Sequence, residues 1–370
     1  MANRTPTLTR RELTAALAAR QMLLERRSLD PVEAIRRLTP LQGQEPRAPY
    51  ISLAARVAGF TREQLEAAVH ARHVVKTTVM RTTLHLVAAD EYPAYAQLAR
   101  QARLRRWRKI YPSLDETTVT AELHAWLCEP RSNAEIEERV RAYGGVPDTP
   151  YAAIFFARTL VPLVQLPPAG SWGDRRRPRF IVDPRPLPSP VDAATLAVRR
   201  YLGAFGPASR RDIAAWAGVP QRDFADALER LETVSFRDEK GGELLDLRRQ
   251  PLPPASTRLP VRFLSRWDQV MLAHADRERI MSPEVQALNL GLAGDQTVTV
   301  DGRIVASWVW RSERGRTGER GRTGERDRVV VEITPHLDLS RTARGRVRAE
   351  ARRLARWLEP DTAAVEVTGL

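Results

Sequence analysis

A mixed α+β protein, built from three tandem helix–helix–hairpin units and a β-rich C-terminal part that ends in a helix, is what the 370-residue sequence predicts. Short segments with apolar residues at helical spacing open on capping residues, and each set is followed by a pair of strand-like runs. Beyond about residue 259 the strand-like character dominates. The length suits two to four small domains, and an apolar fraction of 43% rules out wholesale disorder.

The first unit is placed at 1–95. Its "LDPVEAIRRL" opens on Asp30 and Pro31, a capping residue and a first-turn proline. Thr61 and Gln64 cap "TREQLEAAVHAR", and "VVKTTVMRTTLHLV" (74–87) supplies the hairpin. The second unit, 96–185, has the box Ser132/Glu135 and a glycine stop in "RSNAEIEERVRAYGG". Two strands around a long basic turn come next in "VPLVQLPPAGSWGDRRRPRFIVD".

The third unit, 186–258, is the clearest. Ser209 and Asp212 form a box, Ile213 and Trp216 start an apolar face, and Gly218 and Pro220 break the helix. Phe224, Leu228 and Leu231 then share one face of a second helix, and "TVSF" and "ELLDL" flank the turn "RDEKGG". Two short helices joined by a glycine-containing turn, then a hairpin, make a winged helix-turn-helix. In the last part, 259–370, "QTVTVDGRIVASWVW" alternates around the turn Asp301–Gly302, "RVVVEIT" adds a strand, and "RTARGRVRAEARRLARWLEP" reads as a basic amphipathic helix. A six-residue unit repeats at 314–319 and 320–325 and reads as an expanded loop at a hairpin end.

Charge indicates a partner. Lys+Arg 59 against Asp+Glu 45 gives +14, and a protein this basic commonly meets nucleic acid. GC-rich codon usage accounts for arginine in place of lysine, but not for the excess of bases over acids. Six of the ten residues in "RQARLRRWRK" (100–109) are basic, among them Arg103, Arg105, Arg106 and Lys109. A second run, Arg175, Arg176 and Arg177, lies in the long turn of the second unit. Both runs are candidate phosphate contacts, as are Arg47, Lys76 and Arg81 around the first unit's loop and hairpin. No apolar run of ~18 residues suggests a membrane span. "MANRTPTLTRREL" lacks the apolar core of a signal peptide, and a lone cysteine, Cys128, excludes an internal disulfide framework, so a cytoplasmic, nucleoid-associated setting is expected.

Two possible chemistries are set aside. His70 and His73 are spaced as two ligands on a helix, but no third ligand stands at a recognised spacing, and no metal is expected. Asp268 and His274 read as packed structure and a cap rather than a catalytic pair. The loop "LTPLQGQEPRAPY" (38–50) is different: Gln42 and Gln44 flank Gly43, and Pro46 and Pro49 stiffen the rest of the loop.

"LTPLQGQEPRAPYISLAAR" is similar to the motif stretch of the AlkZ-like winged-helix DNA glycosylases, whose members carry a Gln-x-Gln or Gln-x-Asp element there. "VMRTTLHLV" (79–87), "RFLSRWDQVMLAHADR" (262–277) and "VTVDGRIVASWVW" (298–310) also resemble recurrent segments of that family, in the same order. The resemblance implies a monofunctional glycosylase, without cofactor, that hydrolyses the N-glycosidic bond of N7-alkylguanine in duplex DNA. It implies catalytic amides at Gln42 and Gln44 and, for the Gln-x-Gln type, self-resistance to bulky or crosslinking natural products. A monomer is expected. Such a base is already cationic and departs readily, so neutral amides have only to place a water and offer negative dipole to the sugar. In that scheme the carbonyl faces the water and the amide nitrogen anchors the side chain. The rival reading is a winged-helix transcriptional regulator without catalysis; against it, no dimerisation helix is evident.

Overall fold

Residues 5–110, 115–143, 152–290, 294–313, 328–362 and 364–370 are described by a computed structural model. Helices begin where the sequence places capping residues. Asp30 accepts from the Val32 and Glu33 N–H groups ahead of helix Pro31–Leu38. Gln64 reaches back to the Thr61 N–H at 3.1 Å, Ser132 and Glu135 satisfy one another's backbone N–H groups, and so do Ser209 and Asp212. Each such cap stabilises its helix by ~1 kcal/mol. The duplicated segment at 314–325 and the glycine stop at 144–145 lie outside the described residues.

Among the described residues the strands lie in three sheets. The first contains β1 (Leu41–Gln42), β2 (Val74–Thr78), β3 (Leu84–Ala88), β4 (Arg131–Ser132), β5 (Leu163–Gln165) and β6 (Arg179–Val182), in the order β1-β3-β2-β5-β6-β4. The hairpins expected of the first two units are therefore joined edge to edge, with Thr77 opposite Val164. Pairing β2 to β5 removes an exposed edge from each hairpin. The second sheet is the hairpin β7 (Thr233–Arg237) and β8 (Glu243–Leu247). The third runs β13-β12-β11-β10-β9, with β9 (Arg262–Leu264), β10 (Gln296–Val300), β11 (Arg303–Glu313), β12 (Arg328–Pro335) and β13 (Ala364–Thr368). β12 and β13 are parallel, and helix Arg341–Leu358 connects them, burying Val347, Ala351, Leu354 and Leu358 against that sheet's core.

Helix Pro190–Phe205, which the sequence reading did not place, runs through the largest cluster. Val198, Tyr201, Leu202 and Phe205 pack there with Trp216 and Phe224, Tyr201 and Trp216 at 5.1 Å between ring centres. Gly218 closes the adjoining helix at φ 71°, and a Cβ there would lie 3.1 Å from the Arg81 backbone nitrogen. Glycine is needed at that position both for conformation and for close approach. Among the described residues two wholly internal ion pairs cross the molecule: Arg20–Asp246 at 2.7 Å and Arg56–Asp268 at 2.6 Å, each side chain at most 1% exposed. Among the described residues no helix is long and apolar enough to cross a membrane.

Candidate active site

The segment expected as a loop is partly strand. Gln42 pairs across from His85, and the Gly43 N–H extends the pairing to the Leu84 carbonyl at 2.7 Å. Register alternation turns Leu41 and Leu86 toward a core cluster that holds Ile35, Tyr50 and Leu65, and Gln42, His85 and Thr77 toward the opposite face. Gln42 is 8% exposed, whereas Gln44 is exposed. Gln42 Oε1 accepts from the Gln44 backbone N–H at 3.1 Å, and Gln44 Oε1 accepts a long bond of 3.4 Å from the Leu84 N–H. This reverses the expected anchoring: the carbonyls are held by backbone donors. Each carbonyl keeps a second lone pair, and among the described residues neither amide nitrogen donates to the protein.

The basic candidates separate into two groups. Arg175, Arg176 and Arg177 are exposed on the turn between β5 and β6, and Arg175 lies 3.5 Å from Glu45, next to the glutamines. Arg176 pairs with Asp174 at 2.5 Å. Arg106 and Lys109 are also exposed. The rest are wholly or partly covered by the fold. Arg103, 7% exposed, donates to the carbonyls of Thr78 and Val79, which enter the hairpin turn, and to that of Arg158. Arg81 donates to the Trp216 carbonyl, and burial brings its pKa down to about 10. Arg105 pairs with Asp223. Lys76 is buried in β2; desolvation lowers its pKa, opposed by the charges of Asp174 and Glu45. Arg47 sits between two indole rings, with its guanidinium carbon 5.3 Å from the centres of Trp172 and Trp310. A basic run in sequence does not say which arginines turn inward; burial against carbonyls and rings decides that.

His85 is a neighbour that the sequence reading missed, because only strand pairing brings it opposite Gln42. Its Nδ1 lies 2.9 Å from the Thr83 carbonyl, the contact of an imidazole protonated at that nitrogen. Burial first, and then the Arg81 guanidinium, lower its pKa to about 3, so it is neutral at pH 7. The unfolded imidazole binds its proton near 6.5 and the folded one near 3. Its contribution to stability is therefore complete above about pH 6.5 and is lost as pH falls toward 3, at up to ~1.4 kcal/mol per pH unit. Urea midpoints at pH 7.5 and 5 test this: the drop on acidification is expected to be smaller in His85→Gln than in wild type, and equal drops would refute it.

His70 and His73 are exposed, and His70 Nε2 lies 3.4 Å from Ser171 Oγ. No group of three or more His, Cys, Asp or Glu side chains is placed to hold a metal among the described residues. Asp268 caps helix Gln269–Leu272 and pairs with Arg56; His274 is buried, 3.1 Å from the Phe205 carbonyl.

A basic, mixed α/β chain that presents two fixed amides beside an arginine turn has the features of an enzyme that works on nucleic acid, and comparison with known proteins supplies the family. The profile "DNA glycosylase AlkZ-like" matches residues 35–357, and the chain belongs to that family of DNA repair enzymes. It is 25% identical over 331 residues to an interstrand DNA cross-link repair glycosylase of Streptomyces sahachiroi, across 80% of this chain and 87% of the relative. The solved structure of the Streptomyces sahachiroi DNA glycosylase AlkZ superposes with a TM-score of 0.79, covering 98% of this chain and 100% of that one at 20% identity. Family membership removes the reading as a regulator without catalysis.

Proposed function

We propose that this DNA glycosylase hydrolyses the N-glycosidic bond of N7-alkylguanine in duplex DNA, bulky adducts and interstrand crosslinks included, as self-resistance to a DNA-alkylating natural product. The observation that carries the reading is the Gln42–Gly43–Gln44 element, held at a sheet edge beside Arg175 and inside the region that matches the family. The similar protein of Streptomyces sahachiroi bears the name of a cross-link repair glycosylase, which supports the bulky end of that substrate range. Residues 1–95, 96–185 and 186–258 act as three winged helix-turn-helix units along which the duplex lies, with 259–370 as the β-rich domain. The enzyme works as a cytoplasmic, nucleoid-associated monomer.

In the mechanism, positive charge on the alkylated purine makes it a good leaving group before the enzyme acts. The free lone pair of the exposed Gln44 carbonyl accepts from the attacking water beneath C1′. Gln42 holds the turn through the Gln44 N–H and adds its own dipole to the developing sugar cation. The electron pair of the broken N-glycosidic bond leaves with the purine, which departs neutral, and the proton lost by the water passes to bulk solvent, so neither amide needs to titrate. Incubation with alkylated duplex, then with alkali, tests the activity: strand breaks at abasic sites are expected, and an intact duplex would overturn the proposal.

The exposed bases Arg106, Lys109, Arg175, Arg176 and Arg177 are the proposed phosphate contacts. Replacing any true contact by glutamine is expected to flatten the slope of log K against log salt by about one. Filter-binding titrations from low to moderate salt read it, and an unchanged slope removes that residue from the interface.

A further inference from the structure

We propose that Arg47 is a positioning residue for Gln44, acting through an alternating stack of arginine and tryptophan side chains that joins three distant parts of the chain. The inference rests on the glutamine reading above. Arg47 lies 5.3 Å from the ring centres of both Trp172, in the turn of the second unit, and Trp310, on β11. Arg62 continues the stack, 4.0 Å from Trp172 and 5.4 Å from Trp357 of the terminal helix.

The surfaces on either side of Arg47 are themselves pinned. The Trp172 backbone N–H donates to Glu66 at 3.0 Å, and its ring meets the edge of Tyr50 at 5.4 Å. Trp310 stands in the β11–β12 ladder opposite Val331. Gly173 stands at φ 67°, a left-handed conformation that favours glycine, and packs against Arg47, whose Nε would lie in ordinary contact, 3.4 Å, from a Cβ built there. Between the backbone bond of Gly43 and the guanidinium of Arg47 lie only three residues, one of them the buried Pro46. Gln44 is held on one side by the Gly43 bond and its own N–H to Gln42, and on the other by Arg47, whose backbone N–H also donates to Glu45 at 2.8 Å; releasing the guanidinium from its slot loosens that second side and with it the aim of the Gln44 side chain, which has only a long bond from Leu84. A displacement of about 1 Å at a catalytic group costs on the order of 100-fold in rate.

A phosphate contact and a positioning residue leave different signatures. A phosphate contact sets affinity and its salt dependence; a residue that aims Gln44 sets the rate on bound DNA. Single-turnover excision at saturating duplex is the measurement, with duplex affinity tracked across salt. Arg47→Ala is expected to be roughly 10- to 100-fold slower, with wild-type affinity and salt slope. Arg47→Lys, which keeps a cation over the rings, is expected to recover part of the loss. Trp310→Leu, which leaves Arg47 in place but removes one face of its slot, is expected to slow excision as well. In the Gln44→Ala background, Arg47→Ala is expected to cause no further loss, since there is no amide left to aim.

A wild-type rate in Arg47→Ala while Gln44→Ala is slow overturns the positioning role alone. A salt slope shallower by about one makes Arg47 a phosphate contact instead. Losses that multiply in the double variant show that Arg47 acts independently of Gln44, which also overturns it. A fast Gln44→Ala enzyme overturns the glutamine reading itself, and the positioning role with it.

Discussion

Gln44→Ala is expected to release N7-methylguanine from a labelled duplex at least ~100-fold more slowly than wild type, and up to ~1000-fold, while binding the duplex as before. The magnitude is that of removing one positioned polar group from a preorganised site. Gln44 is exposed, and its carbonyl carries only a long bond from Leu84, so its loss costs the fold little. Gln42→Ala is expected to reach a similar loss of rate by a different route. Its carbonyl holds the Gln44 N–H at 3.1 Å in a site only 8% exposed. Removing it leaves that donor without a partner, so about 1 kcal/mol of stability goes as well. Single-turnover kinetics separate the two effects from binding, and equal rates in wild type and both variants would take this turn out of the mechanism.

The second large effect concerns stability. Asp268→Ala is expected to destabilise the protein by about 3–5 kcal/mol, because it strands the Arg56 guanidinium without a counter-charge in a fully buried site. Asp268 also accepts the Val270 N–H at 3.2 Å, so a short helix loses its cap in the same step. Urea unfolding reads the change directly. The paired variant Arg56→Met with Asp268→Leu is the control, expected to recover much of the loss, since removing both charges leaves none unpaired. A midpoint in Asp268→Ala within error of wild type would show that this pair contributes nothing of the kind.

These two results separate features legible in the chain from those that were not. Caps and turns were legible because they are local. Ser132 with Glu135, Ser209 with Asp212, and Asp301 with Gly302 satisfy or bend backbone within a few residues, so spacing alone reports them. The two glutamines were legible through resemblance, in a segment whose residue types suggest no titrating group. Their orientation was not. Gln42 turns its carbonyl to the Gln44 N–H two residues on, but the atom by which Gln44 meets the backbone depends on Leu84, forty residues away across β1 and β3.

The basic residues show the same boundary. Arg103 and Arg106 are near neighbours in one run, yet the first is buried against backbone carbonyls and the second is exposed. Three residues apart on one helix, they lie only about 60° from each other around its axis, so helical phase does not separate them; the hairpin backbone packed over Arg103 decides which is lost to solvent. Arg47 comes a few residues after the glutamines and reads as a phosphate contact until Trp172 and Trp310 close over it.

By itself, then, the order of residues determined the positions of most helices and hairpins, the positive charge and the amide pair, since each depends on short-range periodicity, composition or a contiguous motif. The tertiary structure alone decided the joining of two hairpins into one sheet, the neutral His85 opposite Gln42, and the arginine–tryptophan stack. Those depend on side chains far apart in the chain being brought within a few ångströms, where desolvation and ring electrostatics act, and no local spacing encodes that proximity.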